Sequence, residues 1–239
     1  MPKVSVILPT YKRPEFLHRA MMGVINQNYE DWELVVVNDG DKDIEELILK
    51  FSKKEPRINY VFLHKNSGCV SIPRNIGILY SKGEYICPLD DDIIIEGTRL
   101  SNSVRALDNN PEAVLVYGTQ VRHTPNTGNY EISNIPDYNP LNGCGVDNSQ
   151  IMYRRKVYDK ITMKFPRRAC DWELMKDIWT AYPHSFVNIP EIVSTYVWHG
   201  GNRSLDNSTK TKDIHPEDYQ DGMWWHLVKR HYNIDWAAK

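Results

Sequence analysis

Three carboxylates stand in a row in "GEYICPLDDDIIIEG" (Gly83–Gly97): Asp90, Asp91 and Asp92, with an apolar run before them and three isoleucines after. Adjacent carboxylates repel one another by about 1 kcal/mol at ~4 Å in water, and by several times more in a drier site. The simplest compensation is a divalent cation, and an oxygen-only ligand set favours Mg²⁺ or Mn²⁺ over zinc. Such ions keep positions open that phosphate oxygens fill. The triplet therefore predicts a phosphorylated or nucleotide ligand. The alternative, a solvated acidic loop, fits poorly with the apolar flanks.

Other candidates lie further along the chain. Arg74 opens the helical pattern "PRNIGILYSKG", where a cation opposes the helix dipole unless an anion is near. Asp171 in "CDWEL" reads as a helix N-cap, a role that contributes about 1 kcal/mol. Arg154 and Arg155 fit phosphate contact and a solvated helix start equally well. His199 precedes Gly200-Gly201, and a lone histidine is more often not a ligand. Trp172, Trp179, Trp198, Trp224 and Trp225 are core residues by default, with sugar stacking as the alternative. There is no GxxxxGK[ST] loop, and Gly143-Cys144-Gly145 lacks the third glycine of a dinucleotide fingerprint. A bound diphosphate would have to be held by metal and side chains.

The elements that must position these groups alternate. Val4 to Leu8 is a continuous apolar run that reads as a strand buried on both faces. "RPEFLHRAMMGVINQNY" has helical spacing with proline at its start. "WELVVVNDG" is a second strand, "DIEELILKFSKK" a helix with acids early and lysines late, and "INYVFL" a third strand. The helix "PRNIGILYSKG" and the strand "EYICPL" follow. This alternation with short connections predicts a parallel sheet covered by helices on both faces. Ligands of such sheets sit at the carboxyl ends of the strands, where the turns "PTYKRP", "NDGD" and "LDDD" converge.

Beyond Gly97 the pattern is less regular. "TRLSNSVRALDNN" reads as a helix, "AVLVYGTQV" as a strand, and His123 to Gly145 as loops or irregular strands. "SQIMYRRKVYDKI" reads as strand into helix, "DWELMKDIWTAY" as a helix, "VNIPEIVSTYVW" as a strand, and "DGMWWHLVKRHYNIDW" as an amphipathic helix.

With 239 residues the chain is expected to form one continuous domain, with a ligand-binding half over 1–95 and a second half over 96–239. A net charge of −2 gives no reason to expect nucleic acid as a partner. No stretch approaches the roughly 20 apolar residues of a membrane span, and "MPKVSVILPT" turns polar too soon for a signal peptide. The composition is compatible with a peripheral contact at a membrane surface. Cys69, Cys87, Cys144 and Cys170 lack zinc-site spacing and read as reduced thiols of a cytoplasmic protein.

Four segments together, "VSVILPTYKRPEFLHRAMMGVINQNYEDWELVVVNDGD", "RNIGILYSKGEYICPLDDD", "CDWEL" and "VSTYVWHGGNRS", resemble family 2 glycosyltransferases of the GT-A fold, especially the small spore-coat-type members. The resemblance covers roughly the first 205 residues and is strongest over the first 95. It implies a Rossmann-like, mostly parallel α/β sheet flanked by helices, with a smaller mixed region on the acceptor side. It further implies Mn²⁺- or Mg²⁺-dependent, inverting transfer of a sugar from a nucleoside diphosphate, by preference UDP, to a carbohydrate or other hydroxyl acceptor. Carried over by position, Pro9, Thr10 and Tyr11 pack on the nucleobase and Asp39 accepts from a uracil N–H. Arg13 and Arg74 join the donor-binding set. Asp92 holds the metal, Asp91 meets the ribose or the metal's water shell, and Asp90 opens the DxD reading. Asp171 is the acceptor-activating base, with Glu173 the nearest alternative, and His199 contacts the metal or diphosphate. Asp147 and Asn148 fall on the acceptor side.

The chain departs from the pattern twice: Asp41 stands where a serine usually follows the glycine, and Cys170 where another acid often precedes the aspartate. Competing readings are a sugar nucleotidyltransferase, which would want a glycine-rich basic loop in place of "PTYKRP", and a phosphohydrolase with a nucleophilic aspartate where Pro9-Thr10 stand. A non-catalytic nucleotide-binding module is a third.

Overall fold

A computed structural model describes residues 1–161, 170–198 and 235–236. The first half alternates as the hydrophobic pattern requires: β1 (Val4–Thr10), α1 (Pro14–Ile25), β2 (Trp32–Asn38), α2 (Glu45–Lys54), β3 (Ile58–Phe62), α3 (Ser71–Tyr80) and β4 (Tyr85–Pro88). The second half adds β5 (Ile93–Ile95), α4 (Arg99–Asn109), β6 (Leu115–Thr124), β7 (Asn129–Ser133), β8 (Ile151–Arg154), α5 (Cys170–Ala181), β9 (Phe186–Val197) and β10 (Asp235–Trp236).

The described strands join one sheet in the order β10-β3-β2-β1-β4-β8-β6-β9-β5, with β7 beside β6. β3, β2, β1 and β4 run parallel. Past β4 the sheet becomes mixed: β8 is antiparallel to β4 and β6, β9 is parallel to β6, and β5 is antiparallel to β9. The fold is thus α/β with a parallel half and a mixed half.

Strand alternation divides the core. Val4, Val6 and Leu8 pack with Leu17, Met21, Ile48 and Leu100 on one face, beneath α1, α2 and α4. Ile7, Val35 and Val37 pack with Ile72, Ile76, Leu174 and Met175 on the other, beneath α3 and α5. α3 lies very close to the sheet because of Gly77, where a Cβ would fall 2.6 Å from Ile7 Cγ2.

Several details differ from the sequence pattern. The three isoleucines after the triplet, assigned to no element from the sequence, form β5, paired with β9, so the triplet lies between two strands. Within His123–Gly145 a regular hairpin strand, β7, pairs with β6 from Gln120↔Ser133 to Thr124↔Asn129. After β8 the chain makes a single 3-10 turn, Arg155–Val157, instead of a helix. The last two residues of the expected C-terminal helix form β10, antiparallel to β3, and the rest of that segment lies outside the described residues. Among the described residues no helix is long and apolar enough to cross a membrane.

Candidate active site

The parallel register sets the site. Thr10 ends β1 opposite Asn38, the end of β2, and Pro88 ends β4 opposite Ile7. The chain leaves all three strands on one edge of the sheet, so the turns holding Arg13, Asp39 and Asp90–Asp92 share that edge. Arg99, wholly buried at the start of α4, fixes the exit from β4. Its Nη2 donates to the carbonyls of Pro88 at 3.0 Å and Ile151 at 3.1 Å, tying the strand end to β8.

Asp91 and Asp92 are buried and lean toward the turn after β1. Thr10 Oγ1 donates to Asp91 Oδ2 at 2.9 Å. Arg13 Nη1 donates to Asp91 Oδ1 at 3.2 Å and Asp92 Oδ2 at 3.0 Å. Burial pushes the Asp91 carboxyl up to about 6; Arg13 pulls against this and Asp92 adds to it. Tyr11, next in the chain after Thr10, is half-buried, with Lys12 Nζ 5.2 Å above its ring.

Asp90 faces the other way. Arg74, in the first turn of α3, is 3% exposed and gives Nη2 to Asp90 Oδ1. Its Nη1 gives a 2.8 Å bond to Asp171 Oδ1 and a longer contact, 3.7 Å, to Cys170 Sγ. The Asn148 amide, with its oxygen turned to the guanidinium, accepts from Arg74 Nε at 3.2 Å and Nη1 at 3.0 Å. The Asn148 backbone N–H donates to Asp171 Oδ2 at 3.4 Å, and the Asp90 N–H donates to Ser149 Oγ at 3.2 Å. Burial raises the Asp90 carboxyl, with Arg74 opposing and Asp171 and Asp92 reinforcing. Burial also drives the neighbouring Cys170 thiol far up, Asp171 adding to it, so this thiol is no nucleophile at neutral pH.

Asp39 closes the site at β2. Its Oδ1 accepts from Ser67 N at 2.9 Å, and its Oδ2 from Ser67 Oγ at 2.8 Å and Asn66 Nδ2 at 2.9 Å. Gly40 lets the turn approach this loop: its φ is +88°, and a Cβ would lie 2.5 Å from Asn66 N. Asn66 and Ser67 were not among the candidates read from the sequence. The signal was available, since "HKNSG" is the polar turn after β3 and so a fourth strand end on the same edge. Asp41, standing where serine is usual, folds back: its N–H donates to Asn38 Oδ1 at 2.9 Å and its carbonyl accepts from Asn38 Nδ2 at 2.6 Å.

Asp147 caps the 3-10 turn Asn148–Gln150 in a reciprocal capping box with Gln150, and burial with nearby Asp171 pushes its carboxyl up to about 6. The structure thus brings Pro9, Thr10, Tyr11, Arg13, Asp39, Arg74, Asp90, Asp91, Asp92 and Asp171 to one edge. It does not bring Arg154 or Arg155 there. Arg154 serves the carbonyls of Ala113 and Leu107, and Arg155 those of Gly83 and Ile78, at the far end of β4. His199 lies outside the described residues.

The donor set suits a hard cation in kind. Within this cluster Asp90, Asp91, Asp92 and Asp171 meet two guanidiniums, Arg13 and Arg74, a formal excess of two negative charges. Burial is the main cause of the raised Asp90 and Asp91 carboxyls, and the neighbouring carboxylates add to it. No three His, Cys, Asp or Glu side chains among the described residues converge on one point, so a cation here would draw remaining ligands from substrate oxygens and water.

Residues 5–170 match the family "Glycosyl transferase family 2". The chain is 33% identical over 175 residues to the poly(ribitol-phosphate) beta-N-acetylglucosaminyltransferase TarP of Staphylococcus aureus, an alignment covering 69% of this chain and 53% of that protein. It therefore spans about half the length of that relative. Among solved structures it resembles S. aureus TarS residues 1–349 in complex with UDP-GlcNAc, with a TM-score of 0.70, 19% identity, and coverage of 96% of this chain and 65% of that one. The mannosyltransferase PcManGT of Pyrobaculum calidifontis, in complex with GDP-Man and Mn²⁺, has a TM-score of 0.65 at 15% identity, covering 84% of this chain and 58% of that one. At these identities the two structures establish the shared GT-A fold.

Proposed function

This chain belongs to glycosyl transferase family 2, and from that membership we propose that it moves a sugar from a uridine diphosphate donor to a hydroxyl acceptor with inversion at the anomeric carbon. The observation that carries the reading is the meeting of Asp171, from the start of α5, with the triplet at the end of β4, joined through Arg74. An acid-base group then stands beside the place where a nucleotide's phosphates would be held.

The base of the donor packs on Pro9, Thr10 and Tyr11. Asp39 is an acceptor-only group held rigid by Asn66 and Ser67, so it selects a ring that presents an N–H, as uracil does. Arg13 faces the diphosphate from the rim. Asp92, with Asp91 behind it, would hold Mn²⁺ or Mg²⁺, and His199 is a further candidate ligand. When bound, that ion would neutralise charge on the departing diphosphate. Asp171 accepts the proton of the acceptor hydroxyl as its oxygen attacks the sugar carbon opposite the leaving group. The transition state resembles an oxocarbenium ion. A carboxylate is a weak base, so the proton must move late and the geometry must be good. A single displacement of this kind inverts the configuration.

TarP's name supports a donor carrying N-acetylglucosamine and a polyol-phosphate hydroxyl as the first pair to try. PcManGT's complex with Mn²⁺ supports the metal. With four free thiols, we place the protein in the cytoplasm.

The test is a panel of nucleotide sugars with and without Mn²⁺, scoring released nucleoside diphosphate. Mn²⁺-dependent release from a UDP-sugar is expected. UDP binding without release would reduce the protein to a binding module, and no binding of any nucleoside diphosphate would end the proposal.

A further inference from the structure

The resemblance groups Arg74 with the donor contacts, yet its buried guanidinium is turned to protein groups. Asp90 takes Nη2, Asp171 takes Nη1, and the Asn148 amide oxygen lies against Nε and Nη1. These three acceptors come from the end of β4, the start of α5 and the 3-10 turn before β8. A planar guanidinium with donors in a fixed fork holds such partners at set angles, which a lysine does not.

The consequence falls unequally on the two oxygens of Asp171. Oδ1 accepts from Arg74 at 2.8 Å, with the Cys170 thiol at 3.3 Å. Oδ2 has only the Asn148 N–H, at a long 3.4 Å, among the described residues. Oδ1 is saturated and anchored, and Oδ2 retains its capacity to accept a proton. Asn148 braces both sides, since its side chain holds Arg74 while its backbone guides Oδ2.

We propose that Arg74 is a positioning residue: it anchors Oδ1 of Asp171, leaves Oδ2 as the oxygen that takes the acceptor's proton, and ties that oxygen to the donor side through Asp90. This rests on the reading of Asp171 as the base. Arg74 touches neither reacting atom. It fixes the distance between base and donor phosphates, which approach from opposite halves of the sheet. A misplacement of about 1 Å in such a geometry lowers rate by about 10²-fold.

Arg74→Gln and Arg74→Lys test this by the split between kcat and KM. The expected result for Gln is a kcat lower by about 10²-fold, with donor KM and UDP affinity within about threefold of the parent, and partial recovery in Lys, which restores the charge without the fork. A fall in UDP affinity with kcat unchanged would make Arg74 a donor contact and overturn the proposal. So would a Lys variant no better than Gln. Should Gln fail to fold, Lys against the parent carries the same split.

A second measurement does not depend on turnover and so separates this idea from the proposed activity. In a cycle of Arg74→Gln and Asp171→Asn, each single change should lower Tm by about 5 °C, because each breaks the bond between the buried Arg74 and the partly exposed Asp171, and the double should lie close to the larger single. Additive shifts would show that the two side chains do not act as a pair. An inactive parent with a non-additive cycle would keep the pairing and discard the reaction.

Discussion

Two arginines serve one aspartate triplet, and they serve it differently. Arg13 reaches Asp91 and Asp92 from the turn after β1 with a side chain 25% exposed, whereas Arg74 reaches Asp90 and Asp171 from α3 with one 4% exposed. At the rim, water and solute ions compete for the pair, and the guanidinium acts as a counter-ion that a substrate or cation could replace. Arg74 has little such access to water; removing it takes the shared cation from Asp90 and Asp171, themselves 31% and 25% exposed, and the cluster behaves as part of the framework. The triplet thus divides its work: its first residue is built into the scaffold that aims the base, and its last two face the ligand. A row of identical residues need not be a row of identical roles.

The strongest challenge to that division is chemical. Asp171→Asn should lower kcat of transfer by about 10³-fold, in the range for loss of a general base, with UDP affinity unchanged by calorimetry. Asp92→Asn should do the reverse, abolishing the Mn²⁺ dependence of UDP binding. If Asp171→Asn transfers sugar at the parental rate, the base lies elsewhere, with Glu173 the first place to look. If Asp92→Asn leaves Mn²⁺-dependent binding intact, the rim is not the cation's place.

The pH dependence of the metal-free protein sharpens the comparison further. Burial, with Asp92 adding, raises the folded Asp91 carboxyl from 3.8 to about 6 despite Arg13. The folded state therefore binds this proton more tightly than the unfolded chain does. The stability it contributes is fully present below pH 3.8 and is lost as pH rises through about 6. Groups lowered by their partners, such as Glu55 beside Arg57 and Asp108 beside Tyr85 and Lys3, lose stability only at more acidic pH. Between pH 5 and 7.5 the urea midpoint should fall, Asp91 contributing a loss of about 1.4 kcal/mol in stability, and Asp91→Asn should flatten that slope. Asp147, also raised to about 6, and the raised Asp90 contribute to the slope that remains. A slope unchanged in Asp91→Asn would mean that Arg13 already satisfies the rim.

The sequence shows the first half of the molecule more plainly than the second, for a physical reason. β1, β2 and β4 are buried at every position, so their apolar runs are unmistakable. β7 is exposed at Asn129–Ile132 on the margin of the sheet, where pairing with β6 forms it and no hydrophobic pattern is required. β5 is three residues long, too short to have a period. In the site, the triplet and its strand-end position are visible in the chain, because like charges in series against apolar residues need a reason. That Asp171 stands near the triplet came only from the family resemblance, and that Arg74 binds them together came from neither. The partners lie 16 and 97 residues away along the chain, and local pattern carries no information over such spans. Arg154 and Arg155 teach the converse. Two adjacent arginines after a strand suggest phosphate, but each is spent on backbone carbonyls left open where strands and helices end.

The smallest expected effect is the most direct test of replaceability. Arg13→Gln should destabilise the protein less than Arg74→Gln in the same denaturation measurement, because water reaches the Arg13 side chain, 25% exposed, and hardly reaches that of Arg74, 4% exposed. Burial works against the Arg13 charge, and Asp91 and Asp92 more than offset it. Removing that charge widens the excess of negative charge at the rim, so Mn²⁺ should bind the ligand-free variant several-fold more tightly, while UDP, losing a cation near its phosphates, should bind more weakly. The opposite signs matter more than the magnitudes. A structural arginine would weaken both ligands together by loosening the fold, whereas a counter-ion shared between protein and substrate must favour one at the expense of the other. If Arg13→Gln destabilises the protein as much as Arg74→Gln does, the rim is scaffold too, and the triplet's division of roles is lost.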